Sequence, residues 1–243
     1  MEITISNIRK TFGEKTAVDI NEYTIHNGDI IGLVGNNGAG KTTLFRLMLD
    51  LLKADDGNVT MTPQGTDDQQ LPTINPATSE EWKKFTGAYI DDGFLIDFLT
   101  PEEYFTFIGK VCGLSKEAVD EHLERFEPFM AGEIMNQKKL IRDFSAGNKQ
   151  KIGIIAALLN TPQLLVLDEP FNFLDPSSQN ILKRLLTDYH EQTNATILVS
   201  SHNLQHTVDI STRIALLEHG VIIKDLDNHN AAATTELEDY FAV

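Results

Sequence analysis

The chain has 243 residues, 41% of them hydrophobic and 23% charged, which is the make-up of an ordinary globular protein with ample material for a core. Its formal net charge of −16, from 36 acidic against 20 basic residues, argues against the basic surfaces that phosphate backbones and anionic lipids require, so no nucleic acid is expected as a partner. A single cysteine, Cys112, excludes an intrachain disulfide, and its setting in F-I-G-K-V-C-G-L predicts a packed thiol on a helix face.

The opening M-E-I-T-I-S-N-I-R-K shows neither a basic n-region nor an apolar h-region, so no signal peptide is expected. The longest apolar run, residues 152–159, is far short of the ~18 residues that span a bilayer, and a cytosolic chain is expected unless a partner carries it to a membrane. Ile3, Ile5 and Ile8 begin a strand, and residues 18–25 form another after the T-F-G-E-K turn; together they read as an antiparallel flank. Residues 30–34 form an apolar strand that runs through G-N-N-G-A-G-K-T-T into an amphipathic helical run at 44–52. Asp55-Asp56-Gly57 turns the chain into a short strand at 59–61, and the polar stretch 62–79 is surface loop or small sheet.

A short helix is predicted at 80–84 and a strand at 87–90, ending in Asp91-Asp92-Gly93. Thr100-Pro101-Glu102-Glu103 is a capping box with proline at the first helical position, opening a helix that ends near Gly113. Ser115 caps another, reaching about Phe126. Residues 94–143 therefore read as a helical insert. Ser145 caps a helix through about Leu159; a strand at 164–167, a helix from Pro176 to about Glu191, a strand at 196–199, a helix from Leu204 to about Ile210 and a strand at 214–217 follow. Short solid apolar runs alternating with helices predict a parallel sheet covered on both faces.

Gly35, Gly40, Lys41 and Thr42 satisfy G-x-x-x-x-G-K-[ST] between a strand and a helix, the context that gives the motif its meaning. The loop comprises Gly35, Asn36, Asn37, Gly38, Ala39, Gly40, Lys41, Thr42 and Thr43. Backbone N–H groups of Asn37 to Lys41 would wrap a β-phosphate at a helix N-terminus, with Gly38 and Gly40 allowing close approach. Lys41 would hold the β- and γ-phosphates, and the Thr42 hydroxyl a Mg²⁺. Leu164-Leu165-Val166-Leu167-Asp168-Glu169 puts two carboxylates at the carboxyl end of a buried strand, where ligands bind in open α/β sheets. Asp168 would hold Mg²⁺ through water, and Glu169 would act as general base on the attacking water. His202 and His206 stand four apart, but with no third ligand and no H-E-x-x-H pattern they do not read as a zinc pair.

Asp143-Phe144-Ser145-Ala146-Gly147-Asn148-Lys149-Gln150-Lys151, upstream of Asp168, is similar to the L-S-G-G-Q signature of ATP-binding cassette (ABC) transporter ATPases. Phe173-Leu174-Asp175-Pro176 resembles their D-loop, and Ser200-Ser201-His202 their switch histidine. The likeness covers nearly the whole chain in the family's order. It implies an α/β fold of the P-loop NTPase type, a RecA-like parallel sheet core with an antiparallel β flank and an inserted helical subdomain. As one domain over 1–243, the core would occupy 1–93 and 144–223, the helical subdomain 94–143 and a C-terminal tail 224–243.

The resemblance also implies roles. Phe12 falls where the family stacks an aromatic ring on adenine; otherwise it is a core residue at a strand end. Ser145, Ala146 and Gly147 match positions that touch the γ-phosphate of ATP bound to the other subunit, Asp175 belongs to the D-loop at that interface, and His202 matches the histidine that reads the γ-phosphate. Thr86-Gly87-Ala88-Tyr89-Ile90-Asp91 aligns with the stretch that ends in the Q-loop glutamine, so Asp91, or Asp92 if the register slips by one, stands where Gln or Glu serves metal and water. Ala146 in place of glycine restricts the backbone where phosphate approaches, which implies slower hydrolysis. The implied cofactors are ATP and Mg²⁺. The implied assembly is a homodimer or heterodimer of ATPase subunits on a transmembrane permease, at the cytoplasmic face of the cell membrane, exporting a drug, peptide or antibiotic. The alternatives are a soluble ATPase driving an assembly scaffold, such as iron–sulfur cluster assembly, and a slowly hydrolysing ATP-gated clamp.

Overall fold

A computed structural model of the chain describes residues 1–65, 71–228 and Leu237. Strand β1 (Glu2–Phe12) turns at Gly13 into β2 (Lys15–Ile25) and pairs with it antiparallel. After β3 (Ile30–Val34) and helix α1 (Lys41–Met48), strand β4 (Asp56–Thr62) returns to the other edge of β1, giving the sheet order β2-β1-β4. The helical run at 44–52 is thus cut short. Asp50 adopts the left-handed conformation at φ +50°, Leu51 N–H reaches back to the Arg46 carbonyl at 2.9 Å and Asp50 N–H to that of Leu47 at 3.3 Å. This is the Schellman closure, with Asp where Gly is usual.

Strand β5 (Thr86–Tyr89) leads into the insert, whose helices are α2 (Pro101–Val111), α3 (Lys116–Glu124) and the short α4 (Glu127–Met130). The capping box at α2 forms with both of its hydrogen bonds: Thr100 Oγ accepts from Glu103 N–H, and the Glu103 carboxylate accepts from Thr100 N–H. Helix α2 ends at Val111, one residue before Cys112, which Gly113 at φ +79° leaves at an exposed turn. The expected packed thiol is therefore corrected to an exposed one.

The second half returns α5 (Ala146–Leu158), β6 (Leu164–Leu167), α6 (Pro176–Thr193), β7 (Thr196–Ser201), α7 (Leu204–Val208), β8 (Arg213–Glu218) and β9 (Val221–Asp227). The main sheet has the order β5-β6-β7-β3-β8-β9, parallel from β5 to β8. Strand β9 adds an antiparallel edge that the sequence reading left out, and the expected boundary at residue 223 falls inside it. Of the expected tail, residues 229–236 and 238–243 lie outside the described residues.

Alternation along the buried strands splits the core. Leu164 and Val166 of β6 and Leu198 of β7 face α1 and the antiparallel flank, against Leu44, Phe45, Ile3 and Ile5. Leu165 and Leu167 of β6 and Ile197 and Val199 of β7 face α5, α6 and the insert, against Ile154, Leu182, Phe105 and Phe129. A sheet buried on both faces holds its strands in one register, which fixes the loops at its carboxyl edge.

Candidate nucleotide site

The site grows from three adjacent strands. β7 lies between β6 and β3, with Leu167 opposite Val199 and Val34 opposite Ser201. Chain segments leaving the carboxyl ends of β3, β6 and β7 are thus neighbours, although they are far apart in sequence.

From β3, the loop closes by Ala39 N–H donating to the Asn36 carbonyl at 3.0 Å and enters α1 through Gly40 at φ +111°. A Cβ at Gly40 would also lie 2.4 Å from the Ala17 carbonyl, so both conformation and space require glycine there. No side chain caps α1, and the unpaired N–H groups of its first turn are left for an anion. The loop walls a recess of 340 Å³ together with Phe12, Lys15, Thr42, Thr43 and Glu169. Phe12 is 52% exposed at its rim, a placement that leaves its ring open to solvent and rules out the strand-end core alternative.

Lys41 is buried; its ammonium donates to the Gly35 carbonyl at 2.7 Å and lies 3.5 Å from Glu169 Oε1. Thr42 donates its hydroxyl to Asp168 Oδ2, while Ser200 donates to Asp168 Oδ1. Burial pushes the Asp168 carboxyl above the usual range, and these two hydrogen bonds oppose that shift. Thr42 and Asp168 together offer hard oxygens beside the phosphate cradle, a donor set that suits Mg²⁺.

Glu169 sits in the left-handed region at φ +48°, unusual for a residue with a Cβ and costing about 1–2 kcal/mol. It is pinned on all sides. Its N–H donates to Ser200 Oγ at 2.8 Å, its carbonyl accepts from the Gln150 amide at 2.9 Å, and Oε2 accepts from the His202 backbone N–H at 3.2 Å and ring Nδ1 at 2.9 Å. The structure therefore brings together Lys41, Thr42, Asp168, Glu169 and His202.

A second recess of 320 Å³ shares Glu169 with the first and is lined by Asp91, Asp92, Ala146, Gln150, Asp168 and Phe173. Asp91 lines it, but both of its carboxylate oxygens are engaged away from metal: Oδ2 pairs with the Arg46 guanidinium at 2.9 Å and Oδ1 accepts from Gly93 N–H at 2.9 Å. As placed, Asp91 does not join Thr42 and Asp168 as a metal ligand. Arg46 lies on α1, so the pair ties the segment after β5 to the helix that follows the phosphate loop.

Ser145 and Gly147 line neither recess. Ser145 is exposed and caps α5, accepting from Asn148 N–H at 3.2 Å. Ala146 is absent from the positive-φ residues, so its methyl brings no strain to its own chain. Gly147 is required by a close approach, since a Cβ would lie 2.6 Å from the carbonyl of Phe173. Asp175 is also outside both recesses. Its carboxylate caps α6, accepting from Ser177 and Ser178 N–H groups at 2.9 and 3.0 Å, and these bonds with the Ser178 hydroxyl hold its pKa below the usual range. Ser200, Gln150, Arg46 and Lys15 are the residues of the site to which sequence reading gave no role; the first two lay inside motifs that had been singled out for other members.

The family model described as ABC transporter matches residues 18–172. The bacitracin transport ATP-binding protein BcrA of Bacillus licheniformis is 32% identical over 226 residues, 92% of this chain and 69% of its own length. A methionine import ATP-binding protein, MetN of Streptococcus agalactiae, is also 32% identical, over 228 residues, 92% of this chain and 63% of its own. Among solved structures, a dimeric post-hydrolysis state of an ATP-binding cassette bound to ADP and Pi aligns at a TM-score of 0.77 with 20% identity, covering 94% of this chain and 99% of that one.

Proposed function

Because the chain belongs to the ABC transporter family, as an ATP-binding subunit with ATPase activity, we propose that it powers a separately encoded permease and that the transport is export of a drug, peptide or antibiotic. The observation that carries the catalytic part is the convergence on Glu169: a general base held by His202, next to the Lys41 ammonium and the Thr42–Asp168 pair.

In this reading the loop N–H groups and Lys41 bind the phosphates of ATP, and Phe12 stacks on the base. Glu169 accepts the proton of the water that attacks the γ-phosphorus, and His202 keeps that carboxylate turned toward the phosphate. Thr42 and Asp168 would hold Mg²⁺, which would supply charge neutralisation at the phosphates. Ser145, exposed at an α5 start that offers N–H groups to an anion, and Gly147 in the first turn of that helix serve the nucleotide of a second subunit across a dimer interface. Phe12→Ala is expected to weaken ATP binding by about five- to a hundredfold, the ~1–3 kcal/mol of one base–aromatic stack, and ATP titration of the purified chain measures it.

Asp91 enters as the partner of Arg46. Arg46→Ala and Asp91→Ala should lower turnover by similar factors, with the double variant no worse than either single one and the Mg²⁺ dependence unchanged. A shifted Mg²⁺ midpoint in Asp91→Ala alone would return Asp91 to the metal.

Among the described residues no helix is long and apolar enough to cross a membrane, so the permease is a separate chain or lies outside them. The residues that favour such a partner follow Asp91 in the chain: Phe94 and Phe98 are 55% and 65% exposed, and Phe107 and Val111 stand exposed one turn apart on α2. Large apolar side chains left in solvent mark candidate contact residues. The likeness to BcrA, a bacitracin transport protein, supports the cargo class, and the equal identity to MetN, a methionine import protein, makes direction the point to test. The chain co-purified with its multispanning partner and reconstituted in inside-out vesicles should drive MgATP-dependent uptake of bacitracin into the lumen. Movement out of the lumen would reverse the direction.

A further inference from the structure

We propose that Gln150 is a positioning residue for Glu169: its buried amide fastens the carbonyl of the left-handed Glu169 backbone and so sets where the carboxylate points. The inference rests on the reading of Glu169 as general base and adds to it the group that orients that base. Gln150 is 4% exposed, and its Nε2 donates to the Glu169 carbonyl at 2.9 Å.

The geometry makes this hold specific. Glu169 stands two residues beyond the end of β6, and its N–H is fixed by the neighbouring strand through Ser200 Oγ, at 2.8 Å. Its carbonyl has left the ladder of the sheet; it accepts from Asn172 N–H at 3.2 Å across the turn and from one side chain, the Gln150 amide of α5. With the N–H side held, rotation about N–Cα carries Cβ and the carbonyl together, so the donors on that carbonyl hold Glu169 at its left-handed φ of +48°. The carboxylate then meets His202 at 2.9 Å on one oxygen and Lys41 at 3.5 Å on the other. A change of that φ would carry both oxygens away from these partners.

The same hydrogen bond joins two parts of the site with different duties. Gln150 lies on the helix that exposed Ser145 caps and whose first residue, Ala146, lines the second recess beside Glu169.

The test uses Gln150→Met, which keeps volume and removes the donor, and Gln150→Glu, which keeps shape and sets an acceptor against the carbonyl. Both are expected to lower kcat by about tenfold to a hundredfold, the scale of a misplaced catalytic group. The Kd for ATP should stay within about twofold and the melting temperature close to wild type. In a Glu169→Gln background neither change should lower residual turnover further, because the group being positioned is gone. Wild-type kcat in Gln150→Met with an inactive Glu169→Gln would overturn the inference alone. Loss of kcat, ATP affinity and thermal stability together would also overturn it, as a merely structural role. Full turnover in Glu169→Gln would instead remove the reading of Glu169. Should Gln150→Met not fold, Gln150→Glu is judged by the same three readouts.

Discussion

Glu169→Gln is expected to lower steady-state ATP turnover by about 10²- to 10⁴-fold while ATP still binds. The amide preserves the side chain's shape beside His202 and Lys41, but it cannot take the proton of the attacking water, and general-base catalysis is worth about that factor. With hydrolysis stopped, the ATP-bound state persists, and in a two-site sandwich it is the dimer that should accumulate. Sizing chromatography with MgATP reads this directly, as a shift from one chain to two. Undiminished turnover would remove Glu169 from its catalytic role. An inactive variant that stays monomeric would leave the base in place and weaken the sandwich.

Ser145→Arg is expected to separate binding from hydrolysis. Ser145 is exposed at the start of α5 and lines neither recess of its own chain, so a bulky residue there should leave ATP affinity within about twofold. Across a dimer interface it would stand against the partner's γ-phosphate, blocking closure and lowering turnover by about 10²-fold, the cost of misplaced catalytic groups. Lys41→Ala should act on binding itself, because its ammonium is buried behind the phosphate loop and lies in the chain's own recess. Equal loss of nucleotide affinity in both variants would show that Ser145 belongs to the same site as Lys41.

Strand β3, the phosphate loop and β6 were legible in the sequence because they are local. A solid apolar run, a glycine pattern and an acidic pair each announce themselves within ten residues. The capping box at Thr100 was legible for the same reason. The orienting groups around Glu169 were not, since Ser200 reaches it only because β7 pairs with β6, and Gln150 only because α5 packs behind that strand. Arg46 reads as an ordinary basic residue in the last turn of α1 until the fold sets Asp91 beside it. Strand β9 escaped notice because it is a solvated edge, with exposed and half-buried residues alternating and Lys224 and Asp225 among its apolar residues. Cys112 was misread because the apolar spacing of α2, Phe105 to Gly109, continues to 112 while the helix stops at Val111.

The central claim is that ATP hydrolysis at this site drives a membrane-spanning partner, and affinity isolation of the chain from detergent-solubilised membranes tests it most directly. The account predicts that a multispanning protein co-purifies through a salt wash, that Phe94→Asp with Phe98→Asp releases it, and that the released chain still hydrolyses ATP. Recovery of the chain only from the soluble fraction, with turnover stimulated by a soluble scaffold and unaffected by those two substitutions, would contradict it.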